Sequence, residues 1–226
     1  VRAGDGPHWP DSRFTVAREL HRDDFASGEL RNWTAEQEKE GVVEVRRGKL
    51  VVDVPGGCTV WFRPELKGPL MIEYDATVVE RGGANDRVSD LNCFWMAHDP
   101  RRAQKPVPDA RRSGKFADYD DLKTYYVGLG GNANTTPRFR RYVGEPGNRP
   151  LLPEHDLTTP EYLIRPNLRQ RVRLVACGRL IQFYRDEARV FELNDPEPYT
   201  RGWFGFRTVT SHLEFARFRV FRLNPA

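Results

Sequence analysis

Residues 70–79 read Leu-Met-Ile-Glu-Tyr-Asp-Ala-Thr-Val-Val, and that stretch decides the fold class. Leu70, Ile72, Tyr74, Ala76 and Val78 fall on one side of an extended chain. Met71, Glu73, Asp75 and Thr77 take the other. A period of two with β-branched and aromatic residues, bounded upstream by Gly68-Pro69, is a strand signal. The same signal recurs on both sides of it. Lys49–Val54 and Cys58–Arg63 precede it, and Leu91–His98, Thr124–Leu129, Arg138–Tyr142 and Arg171–Cys177 follow. Leu180–Arg185 and Arg189–Leu193 read as a hairpin around Arg185-Asp186-Glu187, and Trp203–Val209 with His212–Phe221 closes the chain. Helical periodicity is nearly absent, and roughly a dozen short strands predict an all-β sandwich or barrel. Residues 99–121 and 143–160 are Pro-, Gly- and charge-rich and are expected to be long functional loops. With no repeat or linker, one domain is expected over 1–226, with an irregular segment at 1–12.

Composition narrows the function classes. The chain has 226 residues, among them 13 Phe, 8 Tyr and 5 Trp, enough apolar surface for a proper core and too much for long disorder. No apolar run reaches membrane-spanning length, so no membrane partner is expected. Cys58, Cys93 and Cys177 are too few and too far apart for a zinc site or disulfide framework, and are read as three buried thiols. The opening at Val1 has no leader-like segment, and with 3 Cys and 2 Met the chain is read as secreted or periplasmic after loss of a leader. The net charge is +4, yet residues 101–149 alone hold eleven basic and five acidic side chains. That concentration points to an anionic partner, with solvated loops as the bland alternative.

Five stretches carry a resemblance: GPLMIEYDATVV (68–79), NDRVSDLNCFWMAHDP (85–100), TYYVGLGGNANTTPRFRRY (124–142), RPLLPEHDL (149–157) and WFGFRTVTSHLEFARFRVFRL (203–223). In that order they resemble a poorly characterised family of secreted bacterial proteins with a concanavalin-A-like, jelly-roll sandwich of two antiparallel sheets. The resemblance spans Trp9 to the C-terminus. It implies breakdown of acidic plant polysaccharides such as pectic rhamnogalacturonan, and by analogy of fold a polysaccharide lyase. It carries no catalytic residues with it. Jelly-roll alginate lyases have a Tyr-Phe-Lys-Ala-Gly strand; here Thr124-Tyr-Tyr-Val-Gly128 puts Thr124 in the place of its Tyr.

Uronate β-elimination needs a group that neutralises the carboxylate, a base for the C5 proton and an acid for the leaving oxygen. Lys123, Tyr125, Tyr126, Asn132, Asn134, Arg138, Arg140 and Arg141 supply such groups in close succession. Strand parity sets Tyr125 against Tyr126 and Arg140 against Arg141, while Arg138 and Arg140 share a face. His155, between Glu154 and Asp156, is a third candidate base, its ring oriented by the flanking carboxylates. The candidate catalytic set is therefore His155, Tyr125, Tyr126 and Arg138. Asn92 and His98, parity mates on Leu91–His98, join Lys123, Asn132, Asn134, Arg140 and Arg141 as substrate contacts. Trp95 is the expected sugar platform, with Trp203 expected in the core. Arg101 and Arg112 would steer association from the loop.

Two alternatives stand beside the lyase. Glu73 and Asp75 share a strand face and could serve a glycoside hydrolase, although the Glu-x-Asp-x-x-Glu pattern of jelly-roll glucanases is not completed. A carbohydrate-binding module without catalysis is the other. No cofactor or catalytic metal is expected; Asn85, Asp86, Asp118, Asp120 and Asp121 are loop oxygens of the kind calcium takes, but no spacing specifies a site. Nucleic acid is not an expected partner, because the aromatic residues are not interleaved with the Arg-Lys loop.

Overall fold

The alternation read from residues 70–79 extends through nearly the whole chain in the computed structural model, which describes residues 11–226. The expected irregular start falls mainly on residues 1–10, outside the described residues. The strands are β1 (Phe14–Asp23), β2 (Trp33–Gln37), β3 (Val42–Arg46), β4 (Lys49–Val54), β5 (Cys58–Phe62), β6 (Leu66–Lys67), β7 (Leu70–Val78) and β8 (Asn92–His98). They continue with β9 (Lys123–Gly130), β10 (Thr136–Val143), β11 (Gln170–Cys177), β12 (Leu180–Arg185), β13 (Ala188–Asn194), β14 (Arg201–Thr208) and β15 (Ser211–Pro225). One sheet runs β13-β12-β11-β7-β15-β4-β3 with β1 on β15; the other runs β10-β9-β8-β14-β5-β2 with β6 on β14. Every pairing is antiparallel. This is the all-β, two-sheet jelly-roll sandwich that the sequence predicts.

Four strands escape the sequence reading: β1, β2, β3 and β6. β1 carries Arg18, Glu19, His21, Arg22 and Asp23, and β3 alternates between exposed and half-buried residues. β1 and β3 are edge strands dominated by exposed or half-buried residues, so they lack the apolar alternation that betrays a strand, and β6 is only two residues long.

The inner faces meet in an aromatic core. Trp33 lies 4.9 Å from Phe218, 5.1 Å from Phe62 and 5.2 Å from Phe206, ring to ring. Its indole N–H donates to Asp23 Oδ2 at 2.9 Å. Phe206 stacks on Phe215 at 3.8 Å and meets Tyr74 edge-on at 4.9 Å. One register row across the seven-stranded sheet reads Ala35, Val60, Phe206, Cys93, Val127, Phe139, all facing that core. The three cysteines are buried and unpaired with one another, as expected. Among the described residues, no helix is long and apolar enough to cross a membrane.

The outer face of the seven-stranded sheet is not bare. Residues 99–121 fold over it, and Val107, Tyr119, Leu122 and Phe116 pack on Trp61, Phe94 and Tyr142. This strap is tied down by polar contacts. Glu36, 5% exposed on β2, accepts from Trp61 Nε1 (2.9 Å), Tyr119 Oη (2.9 Å) and the Arg112 backbone N–H (2.7 Å). Arg112 donates to Asp99 Oδ2 at 2.7 Å, and Arg101 pairs with Asp121. The buried Arg207 donates to Gly114 O at 2.7 Å and Thr59 Oγ1 at 3.1 Å.

Candidate functional site

Alternation on the seven-stranded sheet decides which candidates reach one surface. The row next to the core row reads Thr34, Trp61, Gly205, Phe94, Tyr126, Arg140 and faces outward. Arg138 pairs with Gly128, and Arg207 pairs with Asn92, in the neighbouring outward row. The two glycines make room for rings. A Cβ on Gly205 would stand 2.7 Å from the Trp61 ring, and one on Gly128 would stand 3.1 Å from the Tyr126 hydroxyl.

Where the strap ends, this face opens into a cleft of about 270 Å³. Its walls include Asn92, Tyr126, Asn132, Arg138, Arg140 and Tyr142, with Phe116 and Arg149 on the rim. Five residues singled out from the sequence thus meet here. Asn92 is 3% exposed and its Oδ1 has no hydrogen-bond partner among the described residues; the buried Tyr142 hydroxyl is likewise unpartnered. Buried polar atoms without partners are rare and costly, so a ligand or ordered water that reaches them gains a hydrogen bond.

The cleft is electropositive in a specific way. Arg138 donates to Asp156 Oδ1 at 2.7 Å, and Arg149 donates to Asp120 Oδ1 at 2.6 Å, so each is matched by a carboxylate. Arg140 donates to the Arg149 carbonyl and, like Arg207, has no carboxylate within ion-pair distance among the described residues. Among the described residues Arg140 is the unmatched guanidinium that lines the cleft, and Asp90, which lines it too, is paired with Arg87. Burial pushes the Tyr126 and Tyr142 phenols up, which keeps both protonated as donors.

A second group of candidates lies elsewhere. His98, Lys123 and Arg141 line a wider groove of about 770 Å³ at the strand ends, with Tyr199, Arg201 and Trp203. Strand parity predicts His98 on the face of Asn92. Between Trp95↔Tyr125 and His98↔Lys123, β8 has one residue more than β9, a bulge in which Met96 takes φ +53°. One extra residue reverses parity, so Met96 turns to the core and His98 leaves the Asn92 face. Burial lowers the His98 imidazole, and its Nδ1 has no partner among the described residues. Arg141 donates to Asp195 Oδ2 at 2.7 Å and lies 4.3 Å over the Tyr199 ring.

Several expectations need correction. Trp95 is fully buried between Tyr125 and Phe139, so it offers no face to a sugar; the half-buried Trp203 lines the wider groove instead. Tyr125 faces the core, donating to Asp195 Oδ2 at 2.7 Å and accepting from the Tyr199 N–H at 3.0 Å. Its phenol is raised by burial, which fits no base. His155 is 4% exposed, packed 4.8 Å from the Phe139 ring with Nε2 2.9 Å from Glu192 O. The Arg138–Asp156 pair pins its turn along the sheet edge, where the imidazole serves as a packing ring. Arg138 itself is held by Asp156. Asn134 closes a loop, donating to Ile164 O at 2.9 Å and accepting from Ile164 N at 2.8 Å. Arg112 is a buried tie of the strap, with Arg101 held beside it, so neither is a free steering charge.

The Glu73–Asp75 face carries an arginine ladder. Glu73 accepts from Arg173 at 2.6 Å; Asp75 accepts from Arg217 at 2.7 Å and Arg169 at 3.1 Å. Burial works against the Asp75 charge, but these guanidinium groups outweigh it and hold the carboxyl below its usual range. An ionised Asp75 could serve a glycosidase only as nucleophile or base, and here it is buried under arginines. The loop side chains considered for calcium make other contacts: Asp118 accepts from Ser113, Asp120 from Arg149 and Asp121 from Arg101 through Oδ2, Asp86 meets His212, and the Asn85 amide nitrogen donates to Asp53.

Solved structures share the fold at low sequence identity. A Bacillus subtilis protein of unknown function with a galectin-like fold superposes with a TM-score of 0.70 at 16% identity, covering 94% of this chain and all of that one. The carbohydrate-binding module CBM66 from Bacillus subtilis gives 0.54 at 14%, covering 86% and 96%. An endo-β-1,3-glucanase from Pyrococcus furiosus gives 0.61 at 11%, covering 96% and 100%. No curated protein matches the sequence. One family model, a domain of unknown function designated DUF6250, matches residues 52–218.

Proposed function

This chain belongs to the DUF6250 family of domains of unknown function, and from that premise we propose that it is a carbohydrate-binding protein whose cleft takes an acidic saccharide. Membership carries no activity with it, so the reading rests on the cleft. The observation that carries it is the unpartnered Asn92 Oδ1, buried beside Arg140 and the Tyr126 and Tyr142 phenols. A sugar hydroxyl would donate to Asn92 Oδ1, the phenols would donate to ring or glycosidic oxygens, and Arg140 would meet a uronate carboxylate. The carbohydrate-binding module and the glucanase of the same fold support a saccharide ligand by analogy of fold alone.

Binding is preferred over β-elimination because the base is wanting. Among the described residues no histidine lines the cleft, and Tyr126 is held protonated by burial. Tyr126 near Arg140 is the one arrangement that favours a lyase, as the acid for the leaving oxygen.

Calorimetry with uronate-containing oligosaccharides, alongside the ultraviolet absorbance of unsaturated product, tests both readings. Saturable binding with flat absorbance is expected. Arg140→Ala and Asn92→Ala should each weaken it about tenfold or more, the worth of a hydrogen bond to a charged or buried group. Rising absorbance would make the protein a lyase. Equal affinity for neutral oligosaccharides would remove the acidic ligand.

A further inference from the structure

On the opposite side of the sandwich, the outer face of the eight-stranded sheet holds a groove of about 500 Å³, lined chiefly by Arg46, Arg47, Lys49, Arg81 and His212. Local geometry explains why so many cations gather there. The β3–β4 hairpin turns through Arg47-Gly48, with φ of +52° and +71°, the two-residue turn whose twist matches the strands. It sets Arg46, Arg47 and Lys49 at one end of the sheet. His212 on β15 lies across from Asp53 of β4, and Arg81 follows the end of β7.

The charges are not all matched. Lys49 pairs with Glu214 at 2.5 Å, and Arg46 pairs with Glu44 at 3.4 Å. Arg47 and Arg81 are exposed, and neither side chain has a carboxylate within ion-pair distance among the described residues. His212 is fixed in orientation, with Nδ1 3.0 Å from Asp86 Oδ1. Asp86 is itself held by the backbone N–H groups of Arg81 (2.6 Å) and Gly83 (3.0 Å). The other ring nitrogen, Nε2, is buried and has no partner among the described residues. With its Nδ1–H given to Asp86, the His212 ring donates from Nε2 once it takes a second proton, and Arg47 and Arg81, unmatched by carboxylates among the described residues, line the same groove.

We propose that this groove binds a tetrahedral oxyanion, a sulfate or phosphate group, between Arg47, Arg81 and His212 Nε2. The donors come from three separate segments: a hairpin turn, the loop after β7 and β15. Such divergent donors suit an anion whose oxygens point several ways, whereas a flat carboxylate is met best by a single fork. The site is independent of the saccharide cleft, which lies on the other sheet.

The test follows the His212 ring by nuclear magnetic resonance at fixed pH and ionic strength, with chloride replaced stepwise by inorganic sulfate or inorganic phosphate. A saturable shift of the His212 signals is expected. Arg47→Ala and Arg81→Ala, both at exposed positions, should each raise the dissociation constant about tenfold or more, while Arg140→Ala in the cleft leaves it unchanged. A third titration uses a monosaccharide sulfate ester. Tighter binding than inorganic sulfate assigns the anion to a sulfated sugar, and equal binding assigns the free ion. Absence of a saturable shift with either inorganic anion, or a shift that persists in the Arg47→Ala/Arg81→Ala double variant, overturns the proposal.

Discussion

Tyr125 and Tyr126 are chain neighbours with opposite fates. The Tyr125 hydroxyl completes a buried network with Asp195, Arg141 and the Tyr199 N–H. Tyr125→Phe would leave Asp195 short of a donor, so we expect a loss of about 1–3 kcal/mol in urea unfolding with saccharide binding intact. Tyr126→Phe should do the reverse, with little change in stability and weaker binding. Asn92 offers a sharper contrast. Its Oδ1 is unsatisfied without ligand, so Asn92→Leu should hold or raise the unfolding midpoint while abolishing binding. Strain lies close by: Asn132, Ala133 and Asn134 take φ of +53°, +56° and +64° in succession. Asn tolerates this region and Ala does not, so Ala133→Gly should stabilise by about 1 kcal/mol.

At the scale of elements, the strap over residues 99–121 matters most, because it fills part of the outer face and leaves the cleft at its end. Its anchor is the Glu36 carboxyl, raised above the usual glutamate range by burial, against the hydrogen bonds from Trp61 and Arg112. A group whose folded pKa is raised binds its proton more tightly in the folded chain. Its contribution is therefore present below the ordinary value and fades as pH rises through the folded one. Against the wild type, Glu36→Gln should show its largest stability deficit near pH 5, where the proton held by the raised Glu36 carboxyl contributes most. That deficit should narrow toward about pH 8. Urea midpoints of both proteins across that range check it; a gap that widens instead would mean Glu36 stays ionised. Asp75 acts with the opposite sign. Its lowered carboxyl stabilises at neutral pH, and that contribution disappears as pH falls below the usual aspartate range.

For the whole molecule, the thiols report the integrity of the sandwich. Cys58 and Cys93 are buried in the core, and burial pushes both up to about 12, so neither supplies thiolate near neutrality. A thiol reagent should therefore find three groups in denaturant and leave Cys58 and Cys93 untouched in the native protein. Their labelling rate should track global unfolding. Labelling of either in native buffer would show that the two sheets separate locally.

The all-β class, eleven of the strands in close outline and the opposed faces of Tyr125/Tyr126 and Arg140/Arg141 follow from the sequence, because period-two alternation is a local property of the chain. Of the five residues singled out from the sequence that line the proposed cleft, alternation groups only Arg138 with Arg140; Tyr126 joins them from β9, Asn132 from the turn between β9 and β10, and Asn92 from β8. Partner choice was not legible. Whether Arg138 meets a ligand or Asp156, and whether Arg112 is free or bound to Asp99, depends on which loop folds against which strand. The bulge at Met96 carried no signal in Leu91–His98, yet it separated His98 from Asn92. Burial of Trp95 and His155 likewise came from the second sheet and from the turn at Pro153–His155, long-range packing that no local pattern encodes.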